Sequence, residues 1–228
     1  MKLISVNVAT PREVSHEGKP VRTGIFKEPV RGRVRLGTMN LAGDSQAARE
    51  VHGGIHKAVY VYTLENYEYW KRELGRDELP HGQFGENFTV EGMSEGEVHV
   101  GDVFRVGGAM VEVTQPRQPC FKLGIRIGMA EFPRMFLRSG RVGFYLRVLI
   151  EGEVGAGDRI ERLKVDPRRM TVARIHALFN FNRQNVEGAR KAIGIPALSP
   201  DWREAFQRIV EEADRNPRGN IGCCNLPT

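Results

Sequence analysis

The sequence predicts a mainly β first domain, an antiparallel sheet or barrel with peripheral helices, followed by a small all-α module of three helices. Glycine is the first indication: 22 of the 26 glycines fall in residues 1–163, and only Gly188, Gly194, Gly219 and Gly222 fall later. Short segments with alternate apolar residues punctuate the glycine-rich part, as a half-buried strand requires. After about Lys164 the apolar spacing becomes helical. These shifts divide the chain into residues 1–163, 164–216 and a tail, 217–228, whose composition suits neither a core nor a regular element and is expected to be mobile.

Taken in order, Ile4/Val6/Val8, Val98/Val100 and Val111/Val113 read as strand faces. One helix interrupts them. Thr63 suits its N-cap, Tyr67, Trp70 and Leu74 form a core-facing stripe, and Gly75 stops it. The segments Gly96–Val106 and Gly152–Arg162 share the pattern G-E-V-x-x-G-D, in which each Gly-Asp pair is a turn leading into a strand. In the C-terminal part, Met170–Phe179 and Val186–Ile193 read as short helices. Ser199-Pro200 caps a third through Trp202, Phe206, Ile209 and Val210.

A chain of 228 residues, 40% hydrophobic and 27% charged, has enough apolar surface for a sizeable core, which excludes fibrous and wholly disordered classes. No apolar run approaches the roughly 18 residues that span a bilayer, and the N-terminal residues lack a signal-peptide pattern, so a soluble cytoplasmic protein without a membrane partner is expected. Three cysteines, Cys120, Cys223 and Cys224, are an odd number and suggest reduced thiols. The formal charge of +6 is unevenly spread. Gln115–Arg147 holds Arg117, Lys122, Arg126, Arg134, Arg138, Arg141 and Arg147 against the single acid Glu131, a balance that suits an anionic ligand.

The stretch most suggestive of chemistry is Val113–Leu123. Pro116 and Pro119 stiffen the backbone as it leaves a strand and set Cys120 between Arg117 and Lys122. Neighbouring cations favour a thiolate, which attacks electrophiles and binds soft metals; a small buried hydrophobe is the competing role for such a cysteine. A second stretch is Val51–Tyr62. His52 and His56 have the spacing of zinc ligands on a helix, but Gly53-Gly54 disfavours that helix and hence the zinc site. Exposed amides of the glycines, with His52, His56 and Lys57, suit an anion-binding concavity or a plain solvated turn. Asn87, beside Gly85-Glu86, suits either a heterocycle contact or a turn, and Arg33, Arg35 and Arg147 lie in alternating segments that place them at a barrel mouth or in solvent. No G-x-G-x-x-G, P-loop, G-x-S-x-G or H-E-x-x-H pattern occurs.

Four ordered motifs together resemble a MOSC domain of the YiiM family: Gly43-Asp-Ser-Gln46, His52-Gly-Gly-x-x-Lys57-Ala-Val-Tyr, Phe84–Gly92 and Gln115-Pro-Arg-x-Pro-Cys-x-Lys-Leu123. The helices after Lys164 resemble the three-helix module that follows it. The resemblance implies a MOSC-type β-barrel binding molybdenum cofactor (molybdopterin), with Cys120 as thiolate ligand to molybdenum and basic residues at the pterin's phosphate. It also implies reduction of N-hydroxylated bases such as 6-hydroxylaminopurine to their amines, with a flavin- or ferredoxin-type reductase as electron donor. Carried over by motif, the site comprises Cys120, then Arg117, Lys122 and Lys57, with His52 and Asn87 lining the pocket and Arg33 and Arg147 in supporting places. One departure stands out: where the family pattern has Pro-Asp after the two glycines, this chain has Ile55-His56.

Two other function classes remain open at this stage. A carrier of molybdenum cofactor or sulfur would use Cys120 as a persulfide without reductive turnover. A basic nucleic-acid module fits the net charge but lacks RNP or KH signatures, so nucleic acid is not the expected partner. The helical appendage suits closing the pocket, docking the electron donor, mediating a homodimer or simply capping the barrel.

Overall fold

The computed structural model describes residues 1–45 and 53–215. The strands are β1 (Lys2–Val8), β2 (Arg12–His16), β3 (Lys19–Thr23), β4 (Glu28–Pro29), β5 (Arg33–Leu36), β6 (Val59–Thr63), β7 (Phe88–Glu91), β8 (Val103–Val106), β9 (Ala109–Pro116), β10 (Phe144–Ile150), β11 (Gly152–Gly155) and β12 (Ile160–Lys164). The helices are α1 (Leu64–Leu74), α2 (Phe121–Ile127), α3 (Phe132–Ser139), α4 (Val172–Asn180), α5 (Val186–Ile193) and α6 (Pro200–Arg215).

Eight strands form one sheet in the order β12-β8-β9-β10-β6-β7-β1-β4. All neighbours are antiparallel except β6 and β7, whose parallel pairing is allowed by the crossover through α1. The sheet curls on itself. Leu3 N–H donates to Asp158 O (2.9 Å), Gly157 N–H to Leu3 O (2.8 Å) and Ile160 N–H to Met1 O (3.0 Å), so β1 meets the start of β12 and the barrel closes there. β6 shows why: Val59 and Val61 face the barrel interior while Tyr60 and Tyr62 join a second cluster outside it, with Tyr67, Trp70, Phe84, Phe132 and Phe136. The two hydrophobic layers are separated by the pleat of a single strand.

The helix read from Thr63 to Gly75 is present. Thr63 Oγ1 accepts from Asn66 N–H, and Gly75 (φ 58°) closes the last turn, with Tyr67 and Trp70 buried on the inner face. Both Gly-Asp pairs turn into strands with Gly101 and Gly157 at the same φ, 96°, and the two strands that follow, β8 and β12, pair with each other. Two expectations are corrected. In β1 a bulge between Leu3 and Ser5 shifts the phase, so Leu3 and Val6 are buried, whereas Ile4 and Val8 are only partly covered. Val98 and Val100 are buried but lie in a turn; Val100 N–H donates to Met170 O (3.0 Å) and Val98 O accepts from Val172 N–H (2.9 Å). That segment holds the helical module.

In the module the first two helices are short, as expected, with 9 and 8 residues, and the third, α6, runs for 16. Val172, Ile175, Trp202 and Phe206 belong to the same buried cluster as Leu3, Phe88 and Val111 of the barrel. Burying each such side chain contributes roughly 1.5–3 kcal/mol, so the module is packed onto the barrel, not tethered to it. Among the described residues no helix is long and apolar enough to cross a membrane. The tail expected to be mobile, with Cys223 and Cys224, lies outside the described residues.

Candidate functional site

β9 delivers the candidate cysteine. Pro116 ends the strand, Arg117–Pro119 follow without regular structure, and Cys120 (φ −123°, ψ 171°) is extended immediately before α2. Its side chain is half-buried. It lines two adjoining clefts. Tyr145 and Lys57 line both as well.

The first cleft is cationic. Lys27, Lys57, Arg117 and Lys122 all contribute to its wall. Arg117 is buried, donates to Phe84 O (2.6 Å) and lies with its guanidinium 4.5 Å from the Tyr60 ring centroid. Burial works against its charge, but the Tyr60 and Tyr145 oxygens and the Cys120 sulfur favour the cation more strongly and raise its affinity for the proton. The same burial pushes the Tyr60 and Tyr145 phenols up, so both stay neutral. Lys122 Nζ donates to Arg22 O (3.1 Å), and the His16 and Phe121 rings stack 5.7 Å apart, which pins the β2–β3 hairpin beside the cysteine loop.

Beneath this cleft lies a charged network that sequence reading missed. Lys27 is ion-paired with Asp44, both almost wholly buried. Burial lowers the Lys27 pKa, and Asp44 partly offsets that. Asp44 also accepts from Ala9 N–H (2.9 Å) and from Asn87 Nδ2 (2.9 Å). Glu86 is fully buried; desolvation raises its pKa, while donors from Tyr67, Gly82 N–H (2.8 Å) and Thr89 (2.8 Å) favour its anion. The Gly-Asp-Ser and Phe-Gly-Glu-Asn motifs were the available signal, since their acids are the ones that go inside. Nothing marked Lys27 or Tyr145, which read as ordinary loop and strand residues, and Tyr60 entered only as the last residue of the second motif.

Cys120, Arg117, Lys122, Lys57 and Asn87 are brought together around the first cleft. Asn87 is a wall residue with its amide already engaged: Oδ1 accepts from Tyr60 N–H (3.1 Å), and Nδ2 donates to Asp44 and to Asn7 O (3.3 Å). Arg33 and Arg147 are not brought there. Arg33 forms a bidentate pair with Asp158 (2.7 and 3.0 Å), and Arg147 pairs across the β9–β10 ladder with Glu112 (2.5 Å). Glu112, directly opposite in the ladder, captured Arg147, and Asp158, in the turn after β11, captured Arg33; the sequence spacing reveals neither pairing. His52 lies outside the described residues. His56 sits in a 3-10 turn over residues 55–57, its Nδ1 buried without a hydrogen-bond partner; desolvation and then Arg147 lower its pKa. Gly54 (φ 95°) starts this turn, which delivers Lys57 to both clefts and brings Lys57 Nζ to 3.0 Å from Asp201 of α6.

This arrangement, a barrel with a cysteine at its rim and a packed helical module, can be matched against known proteins. The MOSC domain model matches residues 48–161, and the YiiM-like, 3-alpha helix domain model matches residues 170–212. The chain belongs to the YiiM family of MOSC-domain proteins. It is 38% identical to the uncharacterized protein YflK of Bacillus subtilis over 206 residues, covering 90% of this chain and 93% of that one. Among solved structures it resembles YiiM from Geobacillus stearothermophilus, with a TM-score of 0.78, 33% identity and coverage of 92% and 98%. A protein named "Reductase" from Gibberella moniliformis is 33% identical over 150 residues, covering 64% of this chain and 27% of its own length.

MOSC domains are associated in general with molybdenum-cofactor binding, and the donor set here fits such a group. Among the described residues no cluster of three or more His, Cys, Asp or Glu could hold a metal. A single half-buried thiol is a sufficient protein ligand only for a metal that brings its own chelator. Lys57, Arg117 and Lys122 around that thiol match the negative charge such a chelator's phosphate carries.

Proposed function

We propose that the protein is a molybdenum-cofactor-dependent reductase of N-hydroxylated amines, with Cys120 as the protein ligand of molybdenum. The observation that carries the reading is the position of Cys120, whose side chain lines both a cationic cleft and a neighbouring cleft walled partly by α6. Lys57, Arg117 and Lys122 would hold the cofactor's phosphate, and the buried Lys27–Asp44 pair would keep that wall rigid. When bound, the cofactor supplies the two-electron chemistry. The net reaction, R–NHOH + 2 e⁻ + 2 H⁺ → R–NH₂ + H₂O, also needs protons at the cleft junction. The neutral Tyr145 phenol, beside Cys120 and lining both clefts, is placed to provide one. The electrons come from a separate flavin- or ferredoxin-type reductase, and the similarity to a much longer protein named as a reductase supports redox chemistry.

The test uses protein from a host that makes the cofactor, with 6-hydroxylaminopurine as substrate and reduced methyl viologen in place of the natural donor. Adenine should appear with wild type and not with Cys120→Ala. Molybdenum-replete wild type that produces no adenine overturns the reading, and a persulfide trapped on Cys120 in that material would favour a sulfur carrier.

A further inference from the structure

We infer that the second cleft, between the barrel and the helical module, seats the uncharged, planar heteroaromatic ring of the substrate, and that Gln115, Phe179 and Trp202 select it. The inference rests on the reductase reading for the chemistry but on separate observations for the place. Charge divides the two clefts. Arg117, Lys122 and Lys27 face only the first, whereas in the second Lys57 is met by the Asp201 carboxylate at 3.0 Å. An anionic group gains from the first cleft and a neutral one belongs in the second.

The lining gives the ligand's shape. Phe179 of α4 and Trp202 of α6, with ring centroids 5.0 Å apart, supply an aromatic wall, and Pro119 faces the same space. One polar atom there is unsatisfied. Gln115 is 3% exposed, lines the cleft, and its Oε1 is buried without any hydrogen-bond donor. A buried acceptor left without a donor is unfavourable, so the site calls for a ligand that brings an N–H. A flat base with a ring or exocyclic N–H meets both demands; an aliphatic hydroxylamine carries an N–H but has no ring to lie against the aromatic wall. Cys120 and Tyr145 line both clefts, so an N-hydroxyl group on a ring seated here reaches the junction where the cofactor's metal would be held.

The experiment is a titration of cofactor-free protein with 6-hydroxylaminopurine and with adenine, read by tryptophan fluorescence. Trp202 reports the cleft, and Trp70, buried in the outer cluster, does not. Saturable quenching is expected with both ligands in wild type and absent in Trp202→Phe, while N-methylhydroxylamine gives none. Gln115→Leu should weaken binding about tenfold, the usual effect of one lost neutral hydrogen bond. Ala205→Trp, which fills the cleft from α6, should abolish it and keeps the question answerable if Gln115→Leu misfolds. Unquenched fluorescence in wild type, or full affinity in Ala205→Trp, overturns the inference. Molybdenum content of the same chain purified from a cofactor-competent host separates the two ideas: metal there without ring binding in the titration refutes the cleft assignment alone, and ring binding without metal in that material refutes the reductase reading alone.

Discussion

Asn87→Ala should damage the fold before it damages any ligand contact. The Asn87 amide serves three partners: Tyr60 N–H (3.1 Å), Asn7 O (3.3 Å) and Asp44 Oδ2 (2.9 Å), the last being part of the buried pair with Lys27. The truncation leaves the Tyr60 amide without its side-chain acceptor, a loss of about 1–3 kcal/mol. Removing a donor from a buried carboxylate adds about 1.5–3 kcal/mol. The long Asn7 contact adds little, and the total expected is about 3–5 kcal/mol, a large share of the roughly 5–15 kcal/mol that holds a domain together. Urea unfolding followed by circular dichroism measures it, with Cys120→Ser, whose side chain is half-buried at the cleft, as the comparison that should lose under 1 kcal/mol. An Asn87→Ala midpoint indistinguishable from wild type would refute the network and return Asn87 to the role of a ligand contact.

Other outcomes follow from single positions. Gly85 has φ 79°, and a Cβ there would lie 2.7 Å from Ile25 Cγ1, so Gly85→Ala should lose about 2–4 kcal/mol in the same unfolding assay; loss below 0.5 kcal/mol would contradict the close approach. His176 is buried, its Nε2 3.0 Å from Leu137 O, and burial lowers its pKa from 6.5. The unfolded chain therefore takes up this proton first, so the contribution is absent above about pH 6.5 and stability falls as pH drops below it, by at most about 1.4 kcal/mol per pH unit. Thermal melts between pH 7.5 and 5.5 should show a shallower decline in His176→Gln than in wild type; equal slopes would show that His176 does not contribute.

Much of this architecture was legible because local chemistry and tertiary structure agree. Thr63 and Gly75 bound a helix whose Tyr67 and Trp70 had only one apolar face to bury, and the two Gly-Asp pairs adopt the turn their residues favour. Pro116 and Pro119 placed Cys120 correctly in an irregular loop. What stayed hidden was pairing over distance. Lys27 and Asp44 look like surface charges until the fold brings them together, and Arg33 and Arg147 look available until the fold brings Asp158 and Glu112 to them. The bulge in β1 similarly belongs to its pairing with β7 and leaves no trace in the alternation of Ile4, Val6 and Val8. The second cleft was invisible for the same reason, since Gln115 and Trp202 are 87 residues apart in the chain.

The central claim is that the Cys120 sulfur anchors a molybdenum cofactor against a wall of positive side chains. Elemental analysis of freshly purified protein from a cofactor-competent host tests it most directly. Wild type should carry close to one molybdenum atom per chain with its pterin, and Cys120→Ala should carry almost none while remaining folded. Equal occupancy in the two proteins, or none in either, would contradict it.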